Sequence, residues 1–406
     1  MAKKREIEEE KPATDEVDPV KLSKLLVKEF NKNEEKTGKI AWSLIEDEDN
    51  PTDVKEYIST GNTLLDYCIA NKKNGGVPVG KLTEIVGEEA SGKSLLCAHL
   101  AAECQRRGGI VAYLDAENAL NPDFATRIGI DLKKMVYLQP NTVEECGDAI
   151  EKMIVMTRQK APNQLVLVIW DSTAQTPTQA ELDGNFEINM NVQMEKPKAM
   201  GKMMRKITQV LGKERICLVF TNQLKVKPGV MYGDPMFAPG GKAVPYAASV
   251  RIKLEQWKKA KEGADVVDLD KGEDGQGDGD VMGVHTKAKV IKNRLGPPHR
   301  STRFFISFAN GIQDEQSWFQ LLRDKGVLEK SPPGWISVPS YKKDFKFRSA
   351  AWESVLKTDR EFRAWVDAKL EELMVVKYGE KAEGAEVDPE SLLEVEQFTQ
   401  DVLEPQ

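Results

Sequence analysis

Eight residues, Gly87-Glu88-Glu89-Ala90-Ser91-Gly92-Lys93-Ser94, spell G-x-x-x-x-G-K-S and constrain the architecture more than any other stretch. The motif has meaning only between a strand and a helix, and the chain supplies both: an apolar run from Leu82 to Val86 before it, and Leu95 to Ala102 after it. In that setting the backbone N–H groups of Gly87, Glu88, Glu89, Ala90, Ser91 and Gly92 close around the phosphates of a nucleoside triphosphate, aided by the positive end of the helix. Lys93 adds a formal charge, and the Ser94 hydroxyl is a ligand for Mg²⁺.

A chain of 406 residues has room for one large core and one or two smaller units. The formal net charge is -7, so any nucleic-acid partner must be recognised by local basic patches. Five cysteines, at 68, 97, 104, 146 and 217, form no C-x-x-C pair and only three histidines occur, a pattern that fits reduced thiols in the cytoplasm and argues against a zinc site. The charged N-terminus lacks the apolar centre of a signal peptide, and no apolar run approaches the ~20 residues of a membrane span.

Residues 1–17 are charged and read as a disordered tail. From Asp18 to about Lys36 the apolar positions Val20, Leu22, Leu25, Leu26 and Phe30 recur at helical spacing. This helix, with its linker to residue 54, must cover its apolar face either on its own domain or on a neighbouring subunit. Residues 55–312 alternate strands and helices: Ile110 to Leu114, Met135 to Leu138, Leu165 to Trp170, Cys217 to Thr221 and Ser249 to Leu254 read as strands, and 142–158 and about 196–212 as helices. The alternation predicts an α/β fold with a mainly parallel twisted sheet covered on both faces. Loop-like stretches at about 181–195 and 224–242 each follow a strand, at the edge where open α/β sheets bind ligands. Residues 258–281 are rich in Gly and Asp; Asp268-Leu269-Asp270 hints at a calcium loop, but the sixth and twelfth positions are wrong, and a solvated hairpin extension is expected. Residues 313–378, with Trp318, Trp335, Trp352 and Trp365, read as a small α+β unit, and 379–406 as an acidic tail.

Hydrolysis needs more than a phosphate cradle. Leu165-Val166-Leu167-Val168-Ile169-Trp170-Asp171-Ser172 is an apolar strand ending in an acid, which places Asp171 opposite Ser94 around Mg²⁺. Tyr113-Leu114-Asp115-Ala116-Glu117-Asn118 is a second such strand, whose terminal carboxylates either activate a water or simply start a helix. In the second loop Lys225, Lys227 and Lys242 offer phosphate contacts, and Val230, Met231 and Tyr232 offer apolar surface to bases, the composition of a single-strand binder. In the first loop Phe186, Ile188 and Met190 are either wedges or packing residues. Lys292 and Arg294 alternate along a strand, so both can approach one target or make internal ion pairs.

Taken together, the motifs resemble those of the RecA-type recombinases, with the phage UvsX group as a close relative. The similarity runs from about Asp18 to about Trp335 and includes Ile58-Ser59-Thr60-Gly61, the phosphate loop, Leu114-Asp115-Ala116-Glu117-Asn118-Ala119-Leu120, Trp170-Asp171-Ser172, Thr221-Asn222-Gln223, Gly229-Val230-Met231-Tyr232-Gly233, Gly240-Gly241 and Lys292-Asn293-Arg294. The resemblance implies a RecA-like ATPase core using ATP and Mg²⁺, with Glu117 as general base and Gln223 as sensor of the γ-phosphate. It also implies that Phe124, beside Asn121, stacks on adenine, and that Ser172 belongs to the nucleotide site. It assigns DNA contact to the two loops, to Gly240, Gly241 and Lys242, and to Lys198, Arg205 and Lys206 on the helix between them. Lys292 and Arg294 then reach the γ-phosphate of the neighbouring subunit; family members usually carry lysine where Arg294 stands, and the two are not equivalent.

The function implied is an ATP-dependent recombinase that forms helical filaments on single-stranded DNA and pairs it with homologous duplex DNA, with single-strand-binding and loader proteins as further partners. A hexameric helicase on the same core, a mediator scaffold without strand exchange and a small-molecule P-loop kinase are the rival readings.

Overall fold

The computed structural model describes residues 18–32, 39–44, 46, 47, 50, 52–118, 120–184, 190–212, 214–226, 236, 237, 239–261, 281–331 and 334–377. The charged leader 1–17, the acidic tail 379–406 and most of the Gly/Asp-rich stretch 258–281 lie outside them.

A nine-stranded sheet organises the chain. Its strands are β1 (Leu82–Gly87), β2 (Ile110–Asp115), β3 (Met135–Leu138), β4 (Val166–Asp171), β5 (Ile216–Gln223), β6 (Val250–Lys261), β7 (Val281–Asn293), β8 (Ser301–Ser307) and β9 (Gly311–Gln313). Spatial order is β9-β8-β7-β6-β1-β5-β4-β2-β3. The six strands from β6 to β3 are parallel, and β7, β8 and β9 extend the sheet antiparallel. The expectation of a mainly parallel sheet therefore holds.

The central strands are continuously apolar because both their faces are covered. In β4, Leu167 and Ile169 join one hydrophobic cluster, while Val166, Val168 and Trp170 join the other. The helices are α1 (Pro19–Phe30), α2 (Thr63–Ala70), α3 (Lys93–Arg106), α4 (Pro122–Arg127), α5 (Val143–Lys160), α6 (Gln179–Asp183), α7 (Met190–Leu211), α8 (Ala243–Ala247), α9 (Asp314–Asp324), α10 (Trp352–Thr358) and α11 (Arg360–Met374). Helices α2, α3 and α9 cover the first face; α5, α7 and α8 cover the second.

Two boundaries differ from expectation. Helix α1 stops at Phe30 instead of running to about Lys36, because Asn31 turns the chain: its side chain accepts from the N–H groups of Ile40 and Ala41 at 3.0 Å. The stretch 181–195 is not a simple loop. Thr178 caps α6 with a capping box, and α7 already begins at Met190, about six residues before the expected start. Pro197 sits inside α7 at the cost of one N–H donor.

None of the α1 residues is buried, and Val20, Leu25 and Phe30 are each about 60% exposed, so its apolar face does not pack on its own domain. The C-terminal unit adds a three-stranded sheet, β10 (Glu329–Ser331), β11 (Trp335–Ser337) and β12 (Lys346–Arg348), packed with α10 and α11 around Phe362. Its buried residues belong to the same cluster as the first face of the main sheet.

Candidate functional site

The carboxyl ends of β1, β2, β4 and β5 converge on one cavity of about 260 Å³, lined by Glu89 to Leu95, Glu117, Asp171, Gln223, Val284 and Phe308. That is smaller than the ~300–1,000 Å³ that encloses a drug-sized ligand, so it suits the phosphate end of a nucleotide and leaves the remainder to another surface. A larger cavity, of about 410 Å³, lies between residues 59–75 and the helices α9 and α11. It mixes both signs of charge and has no phosphate-loop geometry, and the nucleotide chemistry is assigned to the first.

Helix α3 starts at Gly92 in the left-handed region (φ 95°) with no side-chain cap, so its first N–H groups face the cavity. A β-carbon on Gly87 would meet Ser91 Oγ at 2.5 Å and the Leu254 carbonyl at 2.6 Å, which explains glycine there. Lys93 Nζ donates to the carbonyls of Glu88 (2.7 Å) and Gly87 (3.2 Å), lying across the loop's mouth. Burial holds its pKa below the usual lysine value, while Asp171 and Glu117 pull it back.

Asp171 is buried and doubly held: Thr221 Oγ1 donates to Oδ1 at 2.5 Å and Tyr113 OH donates to Oδ2 at 2.8 Å. Burial and the Asp171 charge push the Tyr113 phenol well above its ordinary pKa, so it stays a donor. A hydroxyl, Ser94, and a carboxylate, Asp171, lining one phosphate cavity form a hard-oxygen pair of the kind Mg²⁺ accepts alongside phosphate oxygens.

The two acids after β2 separate cleanly. Asp115 is buried and turned to its own main chain, accepting from the N–H groups of Glu117 (3.1 Å) and Leu120 (3.0 Å). Glu117 is exposed, lines the cavity and accepts from Ser172 Oγ at 2.5 Å. It does not start a helix; α4 begins at Pro122, capped by Asn121, whose side chain accepts from Asp123 and Phe124 N–H. Phe124 is half-buried against the first-face cluster, and neither it nor Asn121 lines the phosphate cavity. Ser172 meets the cavity through Glu117.

Gln223 ends β5 directly opposite Gly87, and the next N–H, of Leu224, donates to the Gly87 carbonyl at 3.1 Å. The segment beyond opens with a short antiparallel pair, Lys225–Val226 with Met236–Phe237, that was not foreseen. Lys227, Val230, Met231 and Tyr232 lie outside the described residues. Gly240 and Gly241 both take positive φ, and a β-carbon on Gly241 would meet Pro197 at 3.2 Å, so the stem of this segment packs on α7. On α7, Lys198, Lys202 and Arg205 are exposed at helical spacing; Lys198 pairs with Glu195 at 3.0 Å, and Lys206 is drawn aside to Glu151 at 2.5 Å. Lys225 and Lys242 are exposed beside the same stem.

Lys292 and Arg294 do not line this cavity. Lys292 Nζ donates to the Pro245 (2.8 Å) and Tyr246 (3.0 Å) carbonyls, and Arg294 donates to the same Tyr246 carbonyl at 3.0 Å. The two cations therefore do converge, on backbone of α8. Burial and then the neighbouring charges of Arg294 and Arg251 lower the Lys292 pKa.

Several contributors were not anticipated. Phe308 rims the cavity, Tyr113 and Thr221 grip Asp171, and Lys202 joins the basic face of α7. Only Lys202 carried a local signal, its four-residue spacing from Lys198.

Comparison with known proteins identifies the family. The family model described as RecA N-terminal domain matches residues 24–313. Curated relatives named Protein RecA include that of Heliobacterium modesticaldum, 35% identical over 70% of this chain and 74% of its own length. That of Geobacter sulfurreducens is 35% identical over 69% and 75%, and that of Chlorobaculum parvum 34% identical over 80% and 86%. A family match across most of the ATPase core, joined to relatives of this identity and coverage, places the chain in the RecA family.

Proposed function

We propose that the chain is an ATP-dependent DNA recombinase that assembles head to tail on single-stranded DNA and hydrolyses ATP at each subunit junction. The observation that carries this reading is the split of the phosphate machinery across the sheet. In the register of β1 with β6, Gly87 stands beside Leu254 and Thr83 beside Val250, which in turn pairs with Asn293. Lys292, which pairs with Arg251 and so stands level with Glu84, and Arg294, one residue beyond Asn293, thus lie three to five positions, roughly 10–16 Å, along the strand from the phosphate loop. They rest on carbonyls of α8 and do not line their own phosphate cavity, which supports a role at the nucleotide of a neighbouring subunit. An interface that joins one edge to the opposite edge is heterologous and grows into a helix unless it closes.

Within the junction each residue has a stated task. Residues 87–94 bind the phosphates, and Ser94 and Asp171 would hold Mg²⁺, which spreads the negative charge of the phosphates when bound. Glu117 orients a water and takes its proton; Lys292 and Arg294 of the adjoining subunit stabilise the charge that develops on the transferred phosphoryl group. Gln223, an uncharged amide opposite Gly87, couples the γ-phosphate to residues 224–242, and α8 connects that segment to the Lys292–Arg294 pair. Helix α1, apolar and uncovered, docks on the next subunit. The basic face of α7 and the segment 224–242 hold the DNA backbone, so base pairing with duplex DNA reads the sequence.

Electron microscopy on single-stranded DNA with a slowly hydrolysed ATP analogue tests the reading. Continuous stretched helical filaments are expected. Closed rings would assign the chain to helicase-type assembly instead, and absence of any DNA-dependent assembly would remove the DNA assignments altogether.

A further inference from the structure

The loop that carries Glu117 is short, exposed and without secondary structure, yet a general base must be held within a fraction of an ångström of its water. What fixes it is one buried carboxylate. Asp115 accepts from Glu117 N–H on Oδ1 and from Leu120 N–H on Oδ2, clamping both ends of the turn. A third donor, Tyr137 OH, reaches the same Oδ2 at 3.0 Å from β3, the edge strand of the sheet. Gln139, two residues on, donates to the Tyr137 oxygen at 3.2 Å and to the side chain of Asn118 in the same loop. Tyr137 is 44% exposed, so its ring contributes little to the core, and its best-made polar contact is this one. Burial, and then the bond to Asp115, raise the phenol's pKa, which keeps its proton available for donation.

We infer that Asp115 and Tyr137 are positioning residues for hydrolysis: the edge strand β3 sets the geometry of the Glu117 loop through the Tyr137–Asp115 hydrogen bond. The inference rests on the ATPase reading above. It adds that the base is held from two sides, its carboxylate by Ser172 and its main chain by Asp115, and that the second hold is anchored at the rim of the sheet. Whatever covers or pulls on that edge moves the base, with no contact to the nucleotide.

The test is steady-state ATP hydrolysis by the full chain with a poly(dT) oligonucleotide, comparing wild type with Tyr137→Phe and Asp115→Asn. Tyr137→Phe keeps the ring and removes one hydrogen bond, so kcat should fall about 3–10-fold with KM for ATP unchanged. Asp115→Asn leaves fewer acceptors for two loop amides and should lose about 10–100-fold in kcat. Hydrogen exchange at the amides of Glu117 and Leu120 should quicken in Tyr137→Phe while the strands β1 and β4 stay protected. An unchanged kcat in Tyr137→Phe, or a loss shared between kcat and KM, overturns the inference and leaves the ATPase reading standing. A wild type without DNA-stimulated turnover overturns both. Should Asp115→Asn fail to fold, Tyr137→Phe still decides.

Discussion

At the carboxyl edge of β1, β2, β4 and β5, a single chain brings Lys93, Ser94, Glu117, Asp171 and Gln223 to one cavity. At the opposite edge, Lys292 and Arg294 rest on carbonyls of their own α8. The first region is built for rigidity: Asp171 is buried under two hydroxyl donors, and Gly87 and Gly92 sit where a side chain would collide with Ser91, Leu254 or Ile306. The second is half-exposed and held by hydrogen bonds that another acceptor can replace. On the proposed reading, the contrast means that nucleotide binding belongs to one subunit and that fast hydrolysis needs two. Phosphate oxygens of a neighbour's ATP would outcompete neutral carbonyls for both cations, since an anionic acceptor adds a Coulomb attraction that a neutral carbonyl lacks.

Breaking the second region has the largest expected effect. Lys292→Ala combined with Arg294→Ala should lower DNA-stimulated kcat by about 10³-fold or more, the range of a finger supplied in trans, while ATP binding by the free protein is retained. Fluorescence titration with a labelled nucleotide and phosphate-release kinetics read the two separately; a parallel loss of binding would place these cations in the subunit's own pocket. Breaking the first region at Glu117→Gln removes the base and leaves the cradle. It should cost about 10²–10⁴-fold in kcat and still allow filaments with ATP, and retention of turnover would move the base role elsewhere.

A smaller effect separates the DNA face from both. Lys202→Ala removes an exposed cation from α7 whose ammonium pairs with no carboxylate among the described residues, so the slope of log affinity for single-stranded DNA against log salt should fall by about one. Lys198→Ala should do less, because Glu195 already engages that lysine. Equal slopes in all three proteins would remove α7 from the DNA contact. The smallest expected effect lies away from the chemistry. Burial raises the pKa of Asp66 to about 8 despite hydrogen bonds from Ser59 and Thr60. The folded state therefore holds a proton that the unfolded chain releases near pH 4, and stability declines as pH rises from there through about 8. Asp66→Asn should flatten that decline in Tm between pH 5 and pH 8, without altering nucleotide binding; a wild-type Tm that climbs over this range would contradict the sign.

Regions legible in the sequence are those whose signals are local. The strand at 82–87, the glycine spacing of the phosphate loop and the acid closing Val166–Asp171 each declare themselves within ten residues, and the structure brings Lys93, Ser94, Glu117, Asp171 and Gln223 together as expected. What was hidden depends on neighbours distant in the chain. Nothing near Tyr113 or Thr221 announces that both donate to Asp171, since that follows from β2 and β5 flanking β4. The separate tasks of Asp115 and Glu117 depend on the folded loop: Asp115 is buried and accepts from the Glu117 and Leu120 N–H groups and from Tyr137 on β3, while Glu117 faces the cavity. The start of α7 at Met190 was likewise not legible locally, and Pro197 lies inside the helix, packed beside Gly241.

The central claim, that each active site is shared by two subunits, is tested most directly by mixing two inactive proteins. Glu117→Gln retains its Lys292 and Arg294, and the Lys292→Ala, Arg294→Ala variant retains its Glu117. In equimolar mixed filaments about one junction in four combines an intact base with intact cations, so ATP hydrolysis should recover to about a quarter of the wild-type rate. A mixture no more active than the sum of its two components would show that the residues act within one subunit, and the shared-site account would fall.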